Sequence, residues 1–386
     1  MENIKIPTPL QIVMDDFGWF CGKNELATGG PARTAISRDH VEEDYRVLEE
    51  LGRQLNMKLV CGFTLGEWDK DNRLRGMKHV TREEDAWDRK STIDMEKARR
   101  FFRIIEESKH VDIAFHGLMH SYWIDGENYG NPREFYSYDL PEGATERRLD
   151  YPLIPANAEY VDSHLAAWFD IYNGWGFTKP VKVFISPAGL HRDREKALAY
   201  AEKIEKYGIL YWKNSWQDFH GMMANFSSLI FLNDDYELID FDAIDFDPDT
   251  LPDWPLCSAV FGTHWPNFLR SDPRKNFDYL DKWVNYFKRQ SEIFGRIISK
   301  DMAFAATQAQ FQEYTKTDFT DNCLTLDIRD VYNQGSKGLQ NEFYISIKDL
   351  TPTACLGGEI ALYETHKNFT TYKLIPNNRQ EIKIMF

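Results

Sequence analysis

Five side chains carry the chemistry that can be read from this chain: Asp15, Asp16, His116, His120 and His264. Each follows a short apolar run. Asp15 and Asp16 close Leu10-Gln11-Ile12-Val13-Met14, His116 closes Val111-Asp112-Ile113-Ala114-Phe115, and His264 closes Ser258-Ala259-Val260-Phe261-Gly262-Thr263. Carboxylates and imidazoles gathered at strand ends suit a divalent metal with an acid/base pair. In α/β barrels the ends of the strands are also where active sites sit. His116 and His120 are four apart, a spacing that brings both rings to one side of a helical turn. Asp16 can complete a His-His-carboxylate set. The second aspartate of the pair is then free to take a proton, since neighbouring acids titrate apart. A lone His-x-x-x-His pair is equally a pair of satisfied histidines, and Asp-Asp is often a turn or a helix cap. It is their joint placement at strand ends that points to a site.

The elements that would position these residues alternate. Strand-like runs begin at Leu10, Lys58, Val111, Val181, Ile209, Leu229 and Ser258. Helical spacing covers 38–55, 93–108, 157–171, 194–207 and 277–298, and Met302-Ala303-Phe304-Ala305 reads as a last short strand. Such alternation predicts parallel strands. Polar residues recurring at successive strand ends favour a barrel over an open sheet, which would gather them at one switch point. Segments 66–91 and 121–153 read as long loops over the strand ends. From about residue 315 the pattern turns to period-two alternation with Asn, Gly and Pro turns, the mark of an antiparallel β-domain. The expected organisation is an α/β fold: a barrel over 1–312 and a small β-sandwich-like domain over 313–386.

Composition narrows the function. The 386 residues include 26 Phe, 19 Tyr and 11 Trp, enough for a sizeable core. The formal charge of −15, with no basic stripe, disfavours polyanion binding, so no nucleic-acid partner is expected. The five cysteines are odd in number and form no Cys-x-x-Cys pair, which argues against a disulfide framework and a thiolate zinc site. No apolar stretch approaches the roughly 20 residues of a membrane span. No signal-type segment opens the chain, so a cytoplasmic location is the expectation. Trp68, Tyr122, Trp123, Trp212, Trp216 and Trp265 fall in loops or at strand ends, where flat rings would line a sugar site. Core packing is the competing account of each. Asp240 to Asp247 reads as an edge strand with acidic outer residues. His164 on an apolar helix has no partner visible from sequence.

Ile12-Val13-Met14-Asp15-Asp16-Phe17-Gly18 resembles the first motif of the polysaccharide deacetylase (NodB-homology) family. His116-Gly117-Leu118-Met119-His120-Ser121 is similar to its second, and Val260-Phe261-Gly262-Thr263-His264 to its last. The resemblance spans about residues 8 to 308. It implies a distorted (β/α)7-type, TIM-like barrel, and a metal-dependent hydrolase that removes N- or O-linked acetyl groups from an amino sugar, oligosaccharide or polysaccharide. It assigns Asp16, His116 and His120 to one divalent ion, zinc first, with cobalt, manganese, nickel or magnesium as alternatives. It makes Asp15 the general base and His264 the general acid, reaching in from across the barrel mouth. Two departures stand out. Ile185 falls where the third motif carries an arginine, with Arg192 and Arg194 nearby, and Trp212-Lys213-Asn214-Ser215-Trp216-Gln217-Asp218 matches the fourth motif loosely. A glycoside hydrolase on a related barrel, and a non-catalytic relative that binds metal or sugar, are the alternatives.

Overall fold

The computed structural model describes residues 3–25, 31–124, 126–130, 134–138, 153–187, 194–214, 223–226, 228–234, 243–334 and 337–386. Seven parallel strands follow the expected runs. They are β1 (Pro9–Phe17), β2 (Leu59–Phe63), β3 (Val111–Phe115), β4 (Val183–Ile185), β5 (Tyr211–Asn214), β6 (Leu229–Asn233) and β7 (Val260–His264). They are hydrogen-bonded in the order β6-β5-β4-β3-β2-β1-β7. Helices Glu42–Leu55, Met95–Glu107, Ala158–Trp175 and Arg194–Glu205 lie between them in sequence, and Leu280–Glu292 follows β7.

Alternation along the strands divides two apolar faces. Leu10, Ile12 and Met14 pack outward with helix residues such as Leu48, Leu51 and Phe101. Val13, Val60, Ala114, Val183, Tyr211, Ile230 and Val260, one from each strand, share a single inner cluster. Met302, Ala306 and Ala309 also belong to that cluster. They lie on the helix Met302–Tyr314, where sequence pointed to a short strand. The last strand of this region is Ile297–Ile298, paired with β1 at Pro9 and Leu10.

The expected barrel is realised only in part, because the ladder does not close. A strand at Met223–Phe226 runs antiparallel along the free edge of β6 and occupies it. Among the described residues, one isolated bridge, Asp234 to Val260, joins the sheet's two ends.

The C-terminal region is a β-sandwich, as the alternation predicts. Lys316–Thr320, Cys323–Asp327, Glu381–Met385 and Ala354–Leu356 form one antiparallel sheet, and Phe343–Ile347, Thr370–Pro376 and Gly358–Thr365 belong to the other. Leu324, Leu326, Phe343, Ile345, Leu374, Ile382 and Ile384 fill the space between. Division at residue 312 misses two ties. Ile4–Lys5 is itself a strand of the second sheet, pairing Ile4 with Ile347. Phe311, on the helix Met302–Tyr314, is buried in the sandwich core. Gln308 of that helix donates to the carbonyls of both Pro7 and Tyr344, each at 3.0 Å. No helix among the described residues is long and apolar enough to cross a membrane.

Candidate metal centre

The end of β1 is bent to present both aspartates. Against β2 the register jumps between Met14 and Phe17, so Asp15 and Asp16 together face a single neighbour, Gly62. Asp16 has φ 63, the left-handed conformation uncommon for a residue with a side chain. A bulge of this kind re-aims side chains and recurs beside active sites. The absence of a side chain at Gly62 matters here. A Cβ at that position would lie 3.0 Å from the Cβ of His116, so glycine lets the histidine lean over the strand.

His116 and His120 are brought together by a non-helical loop, not by the expected helical turn. Gly117 at φ 83 and His120 at φ 59 reverse the backbone between them. His116 Nε2 and His120 Nε2 lie 3.0 Å apart, and each is 3.6 Å from Asp16 Oδ1. Two donors held about 2.0–2.1 Å from an ion, at tetrahedral or octahedral angles, stand about 2.9–3.4 Å apart. The triangle therefore fits one divalent ion with little adjustment. The donor chemistry agrees. His116 Nδ1–H donates to the Ile185 carbonyl at 3.2 Å, which leaves the Nε2 lone pair facing inward. Asp16 Oδ1 is buried with no hydrogen-bond donor. All three residues are buried.

Electrostatics favour ionised aspartates. Burial is the largest single influence on Asp16 and pushes its pKa up, but His120, His116 and His264 together hold it well below the usual carboxylate range. Burial likewise opposes ionisation of Asp15, and Lys213, His116 and His264 outweigh it. Burial drops the His120 imidazole from 6.5 to about 4 against the pull of Asp16, so its nitrogens are neutral near pH 7. Burial also pulls His264 down, against Asp16 and Asp15.

Asp15 stands beside the triangle, and the cation that serves it is one that sequence did not single out. Lys213 Nζ, from β5, lies 3.1 Å from Asp15 Oδ2 and 2.8 Å from Asp234 Oδ2. Its side chain is almost wholly buried, and the two carboxylates, Asp15 first, hold its pKa above the ordinary lysine value despite burial. Gly262 on β7 makes room for this trio, since a Cβ there would overlap the Asp234 carboxylate. The signal was present at Lys213, an apolar run ending in a charge, like the ends of β1 and β3. Of the two arginines near the third-motif stretch, Arg192 lies outside the described residues. Among the described residues, Lys213 is a cation in contact with Asp15.

His264 is not across the mouth. It is the register partner of Asp15 on the adjacent strand β7. Its backbone N–H donates to Asn267 Oδ1 at 2.9 Å, which fixes the turn after the strand.

Of the aromatic residues expected at the mouth, Trp68, Trp212 and Trp265 belong to the core, whereas Trp123 is buried but lines a cleft. Trp68, Trp212 and Trp265 are closed to solvent, and Trp123 and Tyr122 nearly so. Trp68 Nε1 donates to the Gly18 carbonyl while its ring packs on Phe20 and Phe63. Trp265 stacks on His40 and donates to the Asp44 carbonyl. These apolar rings gain more from burial under the helices than from an exposed position. Trp216 lies outside the described residues, as do Asp240 to Asp242. Beside the metal loop a cleft of about 390 Å³ is lined by Arg33, Glu67, Trp87, Arg89, Met119 and Trp123. Met119 sits between the two histidine ligands in sequence.

No family model matches the chain. No curated protein matches it either. Among solved structures, an α-amylase from Geobacillus thermoleovorans complexed with acarbose is 9% identical, covers 99% of this chain and 98% of its own, and gives a TM-score of 0.33. The α-amylase AmyC of Thermotoga maritima is 11% identical over 61% of this chain, with a TM-score of 0.27, and the chain spans 47% of its length. An α-L-fucosynthase of Thermotoga maritima is 10% identical, covers 99% of this chain and 96% of its own, and has a TM-score of 0.27. Likeness this weak carries no argument about fold or activity. The chain is a mixed α/β protein with a C-terminal antiparallel β-domain and a three-residue candidate metal site.

Proposed function

We propose that the protein is a metal-dependent hydrolase that removes acetyl groups from an acetylated sugar. One observation carries this reading. Asp16 Oδ1, His116 Nε2 and His120 Nε2 converge within bonding range of one ion, with Asp15 and His264 paired beside them at the same strand ends. A bound divalent ion polarises an acetyl carbonyl and acidifies water. The protein's own groups account for the proton movements. Asp15 is ionised and held by Lys213, so it accepts the proton of the attacking water. His264, on the neighbouring strand, delivers a proton to the departing amine or alcohol oxygen when it is in its imidazolium form, which the Asp16 and Asp15 carboxylates favour against burial. The charge of −15 suits a neutral or cationic saccharide better than a polyanion.

A glycoside hydrolase would need two carboxylates flanking the bond to be cut. Asp15 and Asp234 are two carboxylates close to the centre. Both contact the same Lys213 Nζ, and the Asp234 side chain is closed to solvent, which leaves no room for a sugar between them.

The test is acetate release. Protein loaded with zinc or cobalt is incubated with N-acetylated glucosamine oligomers and with O-acetylated xylan fragments, alongside chromogenic glycosides. Metal-dependent acetate release supports the proposal. Glycoside cleavage without acetate release overturns it.

A further inference from the structure

The loop that carries both histidine ligands is folded around a carboxylate that follows it by about a dozen residues, Glu134. Glu134 Oε2 accepts backbone N–H groups from Met119 at 2.9 Å and from His120 at 2.7 Å, and Leu118 N–H is shared between both oxygens at 2.8 Å. The other side of the carboxylate is held by His164, whose Nδ1 lies 2.7 Å from Oε1. Both side chains are fully buried. Phe135 keeps this stretch seated by stacking its ring on Phe115 of β3 and Phe184 of β4. Gly117 is required by the same packing, since a Cβ there would sit 2.6 Å from Glu134 Oε2.

We infer that Glu134, locked by His164, is the positioning residue of the metal loop. It gathers three successive amides into one concave nest and so determines where His120 stands opposite His116. Converging N–H groups of this kind call for an anion. A carboxylate offers two acceptors and no donor, whereas glutamine offers one acceptor and sets an NH2 against either the shared Leu118 N–H or His164 Nδ1. Leaving such buried donors unmet is costly, so the loop would relax away from the geometry that brings the two Nε2 atoms to 3.0 Å. The inference rests on the metal-centre reading above and adds the group that shapes it. It also gives His164, partnerless in sequence, a defined task.

The experiment uses the full chain, stripped of metal and titrated with cobalt and then with zinc, with the visible cobalt spectrum as readout. Glu134→Gln is expected to weaken cobalt binding about 10–100-fold, the range for lost outer-shell support, and to change the spectrum. His164→Leu should weaken it in the same direction. His164→Asn keeps a donor near the Nδ1 position and should bind as tightly as the parent. If Glu134→Gln fails to fold, the two His164 variants carry the test, because they leave the three amide bonds in place. Glu134→Gln or His164→Leu that is folded, with unchanged affinity and spectrum, overturns the inference. A parent protein that binds neither ion overturns the metal-centre reading instead.

Discussion

Asp15 and His264 face each other across one rung of the sheet, as register partners on adjacent parallel strands. The proposed base and acid therefore share one wall of the site, and the backbone ladder between β1 and β7 fixes their separation. Lys213 approaches Asp15 from β5, so the base is placed by three strands at once.

The roles of the two aspartates separate by substitution. Asp15→Asn should retain one bound metal and lose about 10²–10⁴-fold in kcat, the range for positioned proton transfer. His116→Ala should lose both metal and activity. Metal analysis of purified variants, with acetate assays alongside, checks both. Metal lost by Asp15→Asn but kept by Asp16→Asn would show that the roles are reversed.

Lys213 neutralises two buried carboxylates, so its removal should be costly. Lys213→Met is expected to destabilise the fold by about 3–5 kcal/mol, because it leaves uncompensated buried charge. Adding Asp234→Asn should recover part of that loss by removing one of the stranded charges. Chemical denaturation of the single and double variants measures this. Strictly additive penalties would mean that Lys213 and Asp234 do not act as a pair.

Asp44 supplies a pH-dependent test away from the site. Its carboxylate accepts from Arg38 at 2.7 and 2.9 Å and from Asn276 at 2.8 Å, and it contacts His40 at 3.1 Å. Burial pushes its pKa up, but Arg38 and His40 outweigh burial and hold it far below the ordinary value. A depressed carboxylate contributes stability above its unfolded value, about 3.9, and loses it as pH falls toward the folded one. Asp44→Asn should therefore be less stable than the parent at pH 7. The gap should begin to close as pH drops through about 4 and keep closing below it. Urea melts across pH 2–7 measure the gap, and a gap independent of pH would contradict the assignment.

The sandwich is expected to be indispensable to the fold although it contributes no site residue. A chain ending at Gln312 would expose Phe311 and leave Ile4–Lys5 without its partner strand. It should melt well below the full chain and tend to aggregate through the uncovered apolar face. Equal melting temperatures in thermal denaturation would show the two regions to be independent.

What could be read from sequence follows the physics of each residue. Asp15, Asp16, His116 and His264 were legible because a charged group interrupts a buried apolar run, and periodicity exposes the interruption. His120 came from spacing alone, and the helix assumed for it was wrong, because Gly117 and Glu134 impose a different backbone. Lys213 ends an apolar run as the site residues do, but its partner Asp15 is far away in sequence, and Glu134 follows no such run, so neither role shows in a local pattern. Trp68, Trp212 and Trp265 were misplaced for a related reason. An indole near a strand end suits a cleft or a core equally, and only the packed helices decide.

The pairing of Ile4 with Ile347 also bears on the order of events during synthesis. The segment leading into β1 leaves the ribosome long before the strand it joins. Until then Ile4 and Ile6 have no sandwich core to enter, and β1, which carries both aspartates, is anchored at one end only. Contacts so distant in sequence close late, after most of the chain-entropy cost has been met. The metal centre would thus reach its final form only once translation has passed Ile347, and an ion acquired earlier would meet a site still being assembled.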